Sequence, residues 1–167
     1  MAKTATFDIT STVDLQEVDN AVNQARKEVG QRYDFKGATA EIEFDKKAGT
    51  LKLLADDDYK LTALVDVIQS KLIKRGVPIR NLDYGEVEQA FGGKARQTIT
   101  LVQGISTEKG KEIVRAIKDG GFKKVNAQIQ DEQVRVTSAS IDELQAVIAH
   151  LKKQDFELEL SFGNFRS

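Results

Sequence analysis

Residues 125–138 read VNAQIQDEQVRVTS. Val125, Ala127 and Ile129 alternate with polar residues, and so do Val134 and Val136, the period-two pattern of strands with one buried face. The polar pair Asp131-Glu132 between them predicts a hairpin. Downstream, Ser140 stands three residues before Glu143, a capping box that opens a helix carrying Leu144, Val147, Ile148 and Leu151. Upstream, Ile113, Val114 and Ile117 mark a helix that ends at Gly120-Gly121. Ile99 and Leu101 alternate as a strand ahead of that helix. Phe156, Leu158, Leu160 and Phe162 alternate as a final strand behind the last one. The order is β-α-β-β-α-β, a split βαβ or ferredoxin-like arrangement: an antiparallel sheet with both helices on one face.

The same order occupies the first half of the chain. Phe7 and Ile9 alternate over roughly residues 5–12, and Asp14 with Glu17 opens a helix whose stripe is Leu15, Val18, Val22, Ala25 and Val29. Ala40, Ile42 and Phe44 alternate with Glu41, Glu43 and Asp45. A turn at Lys47–Gly49 leads to a strand with Leu51 and Leu53. Leu61, Leu64, Val65, Ile68 and Leu72 form a second helix, stopped by Gly76 and Pro78, and residues 77–87 hold one further strand. The expectation is an α+β protein of two ferredoxin-like sandwiches, residues 1–92 and 93–167, in simple tandem order. Exchange of a terminal strand, or nesting of one domain in the other, fits the same pattern.

Composition narrows the function. The chain has 167 residues, no Cys and one His, which excludes disulfide scaffolds, thiol nucleophiles, zinc–cysteine sites, iron–sulfur clusters and two-histidine metal sites. The start, MAKTATFDITSTVD, has no apolar leader core, and no run is long and apolar enough to span a membrane. A cytoplasmic protein without membrane partners is expected. Basic and acidic residues nearly cancel, 25 against 26, so strong nonspecific RNA binding is not expected. The first 92 residues carry a net −3 and the rest a net +2.

RNA-recognition domains with this fold place aromatic platforms on the open sheet face. The third strands here, TLKLLADD and QVRVTSA, have none, and Glu41, Glu43 and Asp45 would repel a phosphate backbone in the first half. The second half is more permissive, with Thr98, Thr100, Asn126, Gln128, Gln130, Gln133 and Arg135 outward, which also reads as an ordinary solvated face.

Arg32-Tyr33-Asp34-Phe35-Lys36-Gly37 packs cations for phosphates, aromatics for bases and a carboxylate for a base edge or ribose into one short segment. On composition alone it reads first as a helix end with Arg32 near the dipole, Tyr33 and Phe35 as core anchors and Gly37 as turn residue. Lys71, Lys74 and Arg75 share a helix face, as a phosphate patch or as charges complementing the helix dipole. Asp56-Asp57-Asp58 reads as a helix cap before it reads as a magnesium site. Gly92-Gly93-Lys94 lacks the spacing of a phosphate-binding loop and reads as the linker. His150 has no catalytic constellation around it in sequence, and no enzyme is expected.

Several strings resemble the bacterial YajQ family: FDITSTVDLQEVDNAVNQARKEVGQRYDFKG (residues 7–37), KLIKRGV (71–77), the stretch from Gln97 to Ile105, NAQIQDEQVRVTS (126–138), DELQAVI (142–148) and FGNFRS (162–167). The resemblance runs from Phe7 to Arg166. Departures are Asn126 where Gln is usual and Asp131-Glu132 where Gly-Asp is usual. The resemblance implies tandem RNP-like domains and a non-catalytic nucleotide-binding protein, with cyclic di-GMP, guanine nucleotides or RNA as ligands and no cofactor. It implies nucleotide-binding positions at Arg32, Tyr33, Asp34, Phe35, Lys36, Lys71, Lys74, Arg75, Gln97, Arg135, Asn164, Phe165 and Arg166. Arg32, Lys36, Lys74 and Arg75 would contact phosphate, with Tyr33 or Phe35 stacked on a base in a crevice between the halves. Alternatives are binding of a structured RNA, or an adaptor acting on a transcription regulator.

Overall fold

The computed structural model describes residues 4–167; Met1–Lys3, the opening residues of the stretch inspected for a leader, lie outside them. In chain order the elements are β1 (Ala5–Thr10), α1 (Leu15–Gln31), β2 (Ala40–Asp45), β3 (Thr50–Ala55), α2 (Asp58–Lys74), β4 (Leu82–Tyr84), β5 (Glu88–Gln89) and β6 (Ala95–Leu101). Then come α3 (Thr107–Asp119), β7 (Val125–Gln130), β8 (Gln133–Ser138), α4 (Ile141–Lys152) and β9 (Ser161–Arg166). Short 3₁₀ turns cover Tyr33–Phe35, Ile79–Asn81 and Phe91–Gly93.

The strands form two antiparallel sheets, ordered β7-β8-β1-β9 and β2-β3-β6-β4, with β5 also paired to β6. Two compact units follow: an inner one, Val13–Val102, and an outer one made of the chain up to Thr12 together with Gln103–Ser167. Both have the ferredoxin-like strand order. In the outer unit the path is β1-α3-β7-β8-α4-β9. In the inner unit β6 holds the place of the first strand although it comes last in the chain.

The tandem division at residue 92 therefore differs from the observed one. β1, expected to lead the first sheet, pairs with β8 and β9 (Phe7 opposite Val136, Ile9 opposite Phe162). β6, expected to lead the second, pairs with β3, β4 and β5 (Ile99 opposite Leu51 and Tyr84). Both strands bury alternate apolar side chains, so either satisfies the burial requirement of either sheet, and pairing at long range decides. The Gly92-Gly93-Lys94 segment accordingly lies inside the inner unit and is no linker between units.

The cores are the apolar stripes read from periodicity. Val18, Val22, Leu51, Leu53, Leu64, Ile68, Leu72 and Ile99 are fully buried in the inner unit. Phe7, Ile9, Ile113, Val134, Val136, Val147 and Leu151 are buried in the outer one. Caps start the helices as expected: Asp14 Oδ1 accepts from Gln16 N at 3.0 Å, Asp57 Oδ1 from Lys60 N at 2.7 Å, and Ser140 Oγ from Glu143 N at 3.3 Å. Asp56 Oδ1 takes the Thr39 amide at 3.1 Å, so this acidic run serves the backbone.

The final strand begins later than its alternation predicts. Asp155 Oδ1 accepts from Glu157 N at 2.8 Å and Glu157 adopts φ 61°, a turn that no strand continues through. Phe156 and Leu158 are still buried, as plugs ahead of β9. Burial set their pattern, and the turn took their strand geometry away.

Candidate functional site

The Arg32–Gly37 segment ends α1 and enters β2. Arg32 leaves the helix with extended backbone, and Tyr33–Phe35 makes a single 3₁₀ turn. Gly37 closes the bend at φ 75°, a value that L side chains disfavour. The turn divides its two aromatics. Phe35 is only 4% exposed, whereas Tyr33 is 89% exposed. The Phe35 ring has the Arg32 guanidinium 5.1 Å and the Lys60 ammonium 5.6 Å from its centroid, so it is an anchor for cations and not a free stacking surface. Tyr33 has such a surface.

Charges around the turn form a chain. Arg32 donates to Asp34 at 2.7 and 3.0 Å and to Glu28 at 3.4 Å, and Glu28 also pairs with Lys71 at 3.0 Å. The Arg32 guanidinium holds the Asp34 carboxyl below its usual range, and Lys71 does the same first for Glu28, with Arg32 adding to it. Lys60 Nζ donates to the Asp34 carbonyl. Lys36 is exposed and carries no ion pair among the described residues. Beside it lies a cleft of about 360 Å³ lined by Arg26, Phe35, Lys36, Gly37 and Ile42. Arg26 is fixed by two bonds to the Ile42 carbonyl, at 2.6 and 3.1 Å.

The other expected positions scatter over both units. Arg75 is held by Glu17 at 2.8 and 3.0 Å, which ties α2 to α1 and uses the carboxylate expected to complete the Asp14 capping box. Lys74 is exposed. Gln97 lies on the same face as Ile99, where its amide donates to the Gly85 carbonyl at 2.8 Å. Arg135, Asn164, Phe165 and Arg166 belong to the outer unit. There Arg135 donates to Asp8 at 2.9 and 3.3 Å, and Asn164 Nδ2 donates to the same carboxylate at 2.6 Å. Asn164 reaches it from a bulge between β1 and β9, at φ 54°. Phe165 packs on Phe7, centroids 5.8 Å apart.

Thr98 and Thr100, expected on the open face of the second half's sheet, stand elsewhere. They lie on β6 in the inner sheet, and Thr6, Asp8 and Thr10 of β1 share the outer sheet's open face with Gln128, Gln133 and Arg135. Arg135 is thereby neutralised by Asp8 instead of being a free cation on a polar face.

A sequence profile described as "Nucleotide-binding protein YajQ-like" matches residues 5–166. The chain belongs to the YajQ-like family. A relative from Trichlorobacter lovleyi, named a nucleotide-binding protein, is 59% identical over 160 residues, 96% of this chain and 98% of its own. A relative of the same name from Geotalea uraniireducens is 57% identical over 160 residues, with the same coverage. One from Carboxydothermus hydrogenoformans is 51% identical over 166 residues, 99% of this chain and 100% of its own.

Within this YajQ-like chain, several residues near the turn carried no local signal. Lys60 joins the Phe35 anchor from one turn inside α2, and neighbouring Tyr59 is 80% exposed. Their clue would have been the contact between the α2 start and the turn, which is tertiary. Phe91 is 98% exposed ahead of β6. Glu41, Glu43 and Asp45 line the open face of the inner sheet, as read from their alternation with Ile42 and Phe44. Among the described residues no helix is long and apolar enough to cross a membrane, and no group of three metal-ligating side chains gathers. His150 packs edge-on to Phe122 and meets the Ala116 carbonyl at 3.1 Å, a helix-packing role.

Proposed function

We propose that this YajQ-like chain binds a nucleotide at the Arg32–Gly37 turn of its inner unit without performing chemistry on it. Tyr33 stacks on the base. Lys36 and Arg32 hold phosphate, Arg32 exchanging part of its Asp34 and Glu28 pairing for the ligand. A guanine nucleotide or cyclic di-GMP is the ligand. The observation that carries this reading is a nearly fully exposed Tyr33 ring on the same short turn as the exposed Lys36, which itself lines a cleft of about 360 Å³. The names of the relatives support it at the level of nucleotide binding. Phosphate-backbone binding across the inner sheet is opposed by the row Glu41, Glu43 and Asp45, so a small ligand is favoured over an RNA strand there.

Isothermal titration of the full chain with GMP, GTP and cyclic di-GMP tests the proposal. Replacing Tyr33 by Ala leaves an exposed position and should weaken binding about fivefold or more, the usual loss when a base loses its aromatic partner. Lys36→Glu should weaken it further and flatten its salt dependence. Absence of heat with all three ligands overturns the reading.

A further inference from the structure

The inner sheet has a second cleft, on its open face, which the turn site does not use. It measures about 440 Å³, within the range of small-ligand pockets. Its lining combines three chemistries. Phe91 offers a ring that is 98% exposed. Lys52, Lys94 and Arg96 supply positive charge, and Glu41 and Glu43 supply carboxylates from edge strand β2. A bare Phe of this kind sacrifices apolar burial, and the loop that follows it turns through Gly92 and Gly93, both with φ near 77° (76° and 78°), immediately before Lys94. Lys52 and Lys94 carry no ion pair among the described residues, and the Arg96 partner Glu88, at 3.0 Å, is itself largely exposed and weakly competitive.

We propose that this cleft is a second nucleotide site, selective for guanine. The inference rests on the reading of the chain as a guanine-nucleotide-binding protein, and it adds a second site whose carboxylates account for the base. Phe91 stacks on the base, because any base has a face to offer and the ring has no aromatic or cationic partner among the described residues. Lys52, Lys94 and Arg96 attract the phosphate. The base choice follows from Glu41 and Glu43. An ionised carboxylate only accepts hydrogen bonds. Guanine presents adjacent N1–H and N2–H₂ donors on its pairing edge, so both carboxylate oxygens are satisfied. Adenine, cytosine and uracil each place an acceptor beside their donor, and that acceptor would face carboxylate lone pairs. The two carboxylates disfavour a continuous phosphate backbone over this face, so a single nucleotide is the occupant.

Titration of the full chain with GMP and with AMP decides it. The expected result is two GMP equivalents per chain. Phe91→Ala, at a fully exposed position, should weaken one of them about fivefold or more, while Tyr33→Ala weakens the other to a similar degree. Glu43→Gln should narrow the GMP-over-AMP preference of the Phe91-dependent site. If Phe91→Ala leaves GMP stoichiometry and affinity unchanged while Tyr33→Ala abolishes binding, the second site is wrong and the turn site stands. Equal GMP and AMP affinity at the Phe91-dependent site overturns its base assignment. No heat with either nucleotide overturns both sites.

Discussion

Asp8 is a carboxylate on the open face of the outer sheet, yet only 4% of it is exposed. Arg135 and Asn164 close over it from the two neighbouring strands, and the Arg135 hydrogen bonds above all hold its carboxyl below its usual range. A carboxyl with a lowered folded pKa stabilises the fold above its unfolded value, near pH 4, and loses that contribution as pH falls through the lowered value. Asp8→Asn should cost about 1–3 kcal/mol at neutral pH, because Arg135 keeps its charge and loses its partner. It should also flatten the fall in stability as pH drops from about 5 through the lowered value, read from denaturant midpoints. At this scale the sequence was half legible. Tyr33 and Phe35 stand two residues apart on a turn of about three residues, so they point in different directions, and only packing determines which one is buried. Arg135 read as an outward cation because its strand alternates; its partner lies 127 residues away and leaves no local trace.

Elements were more legible, because caps and periods are local. Asp14, Asp57 and Ser140 start helices where their spacing places them, and the hairpin of β7 and β8 turns through Asp131-Glu132. The final strand was misplaced because burial alone produces alternation without extended backbone. The short β4 was visible only as one further strand within residues 77–87, and the two-residue β5, at Glu88–Gln89, was not read from the sequence, since the place of both depends on β6. Gly85, between them, donates to the Thr98 carbonyl at 2.8 Å, and a Cβ there would meet that same oxygen at 2.8 Å. Backbone cannot move aside as a flexible side chain can. Gly85→Ala should therefore push β4 and β5 from β6 and cost about 1–3 kcal/mol, measured by urea unfolding, with a loss of amide protection at Gln97 and Thr98.

At the scale of the whole molecule, the sequence carried the count of two ferredoxin-like units but not the membership of their leading strands. A strand's period reports which of its faces is buried, and says nothing of the neighbour that accepts its hydrogen bonds. β1 and β6 have interchangeable patterns, so tandem and exchanged arrangements look alike until pairing is seen. The exchange has a consequence for function: the unit that holds the Arg32–Gly37 turn is a continuous chain, Val13–Val102, and is complete only with β6 at its centre. Cutting at residue 92 would remove the strand that pairs with β3, β4 and β5 together, while leaving the turn intact. Thermal unfolding by circular dichroism of two fragments, residues 13–102 and residues 1–92, tests this most directly. A cooperative transition for 13–102 and none for 1–92 is the predicted result; a cooperative 1–92 beside an unfolded 13–102 would contradict it.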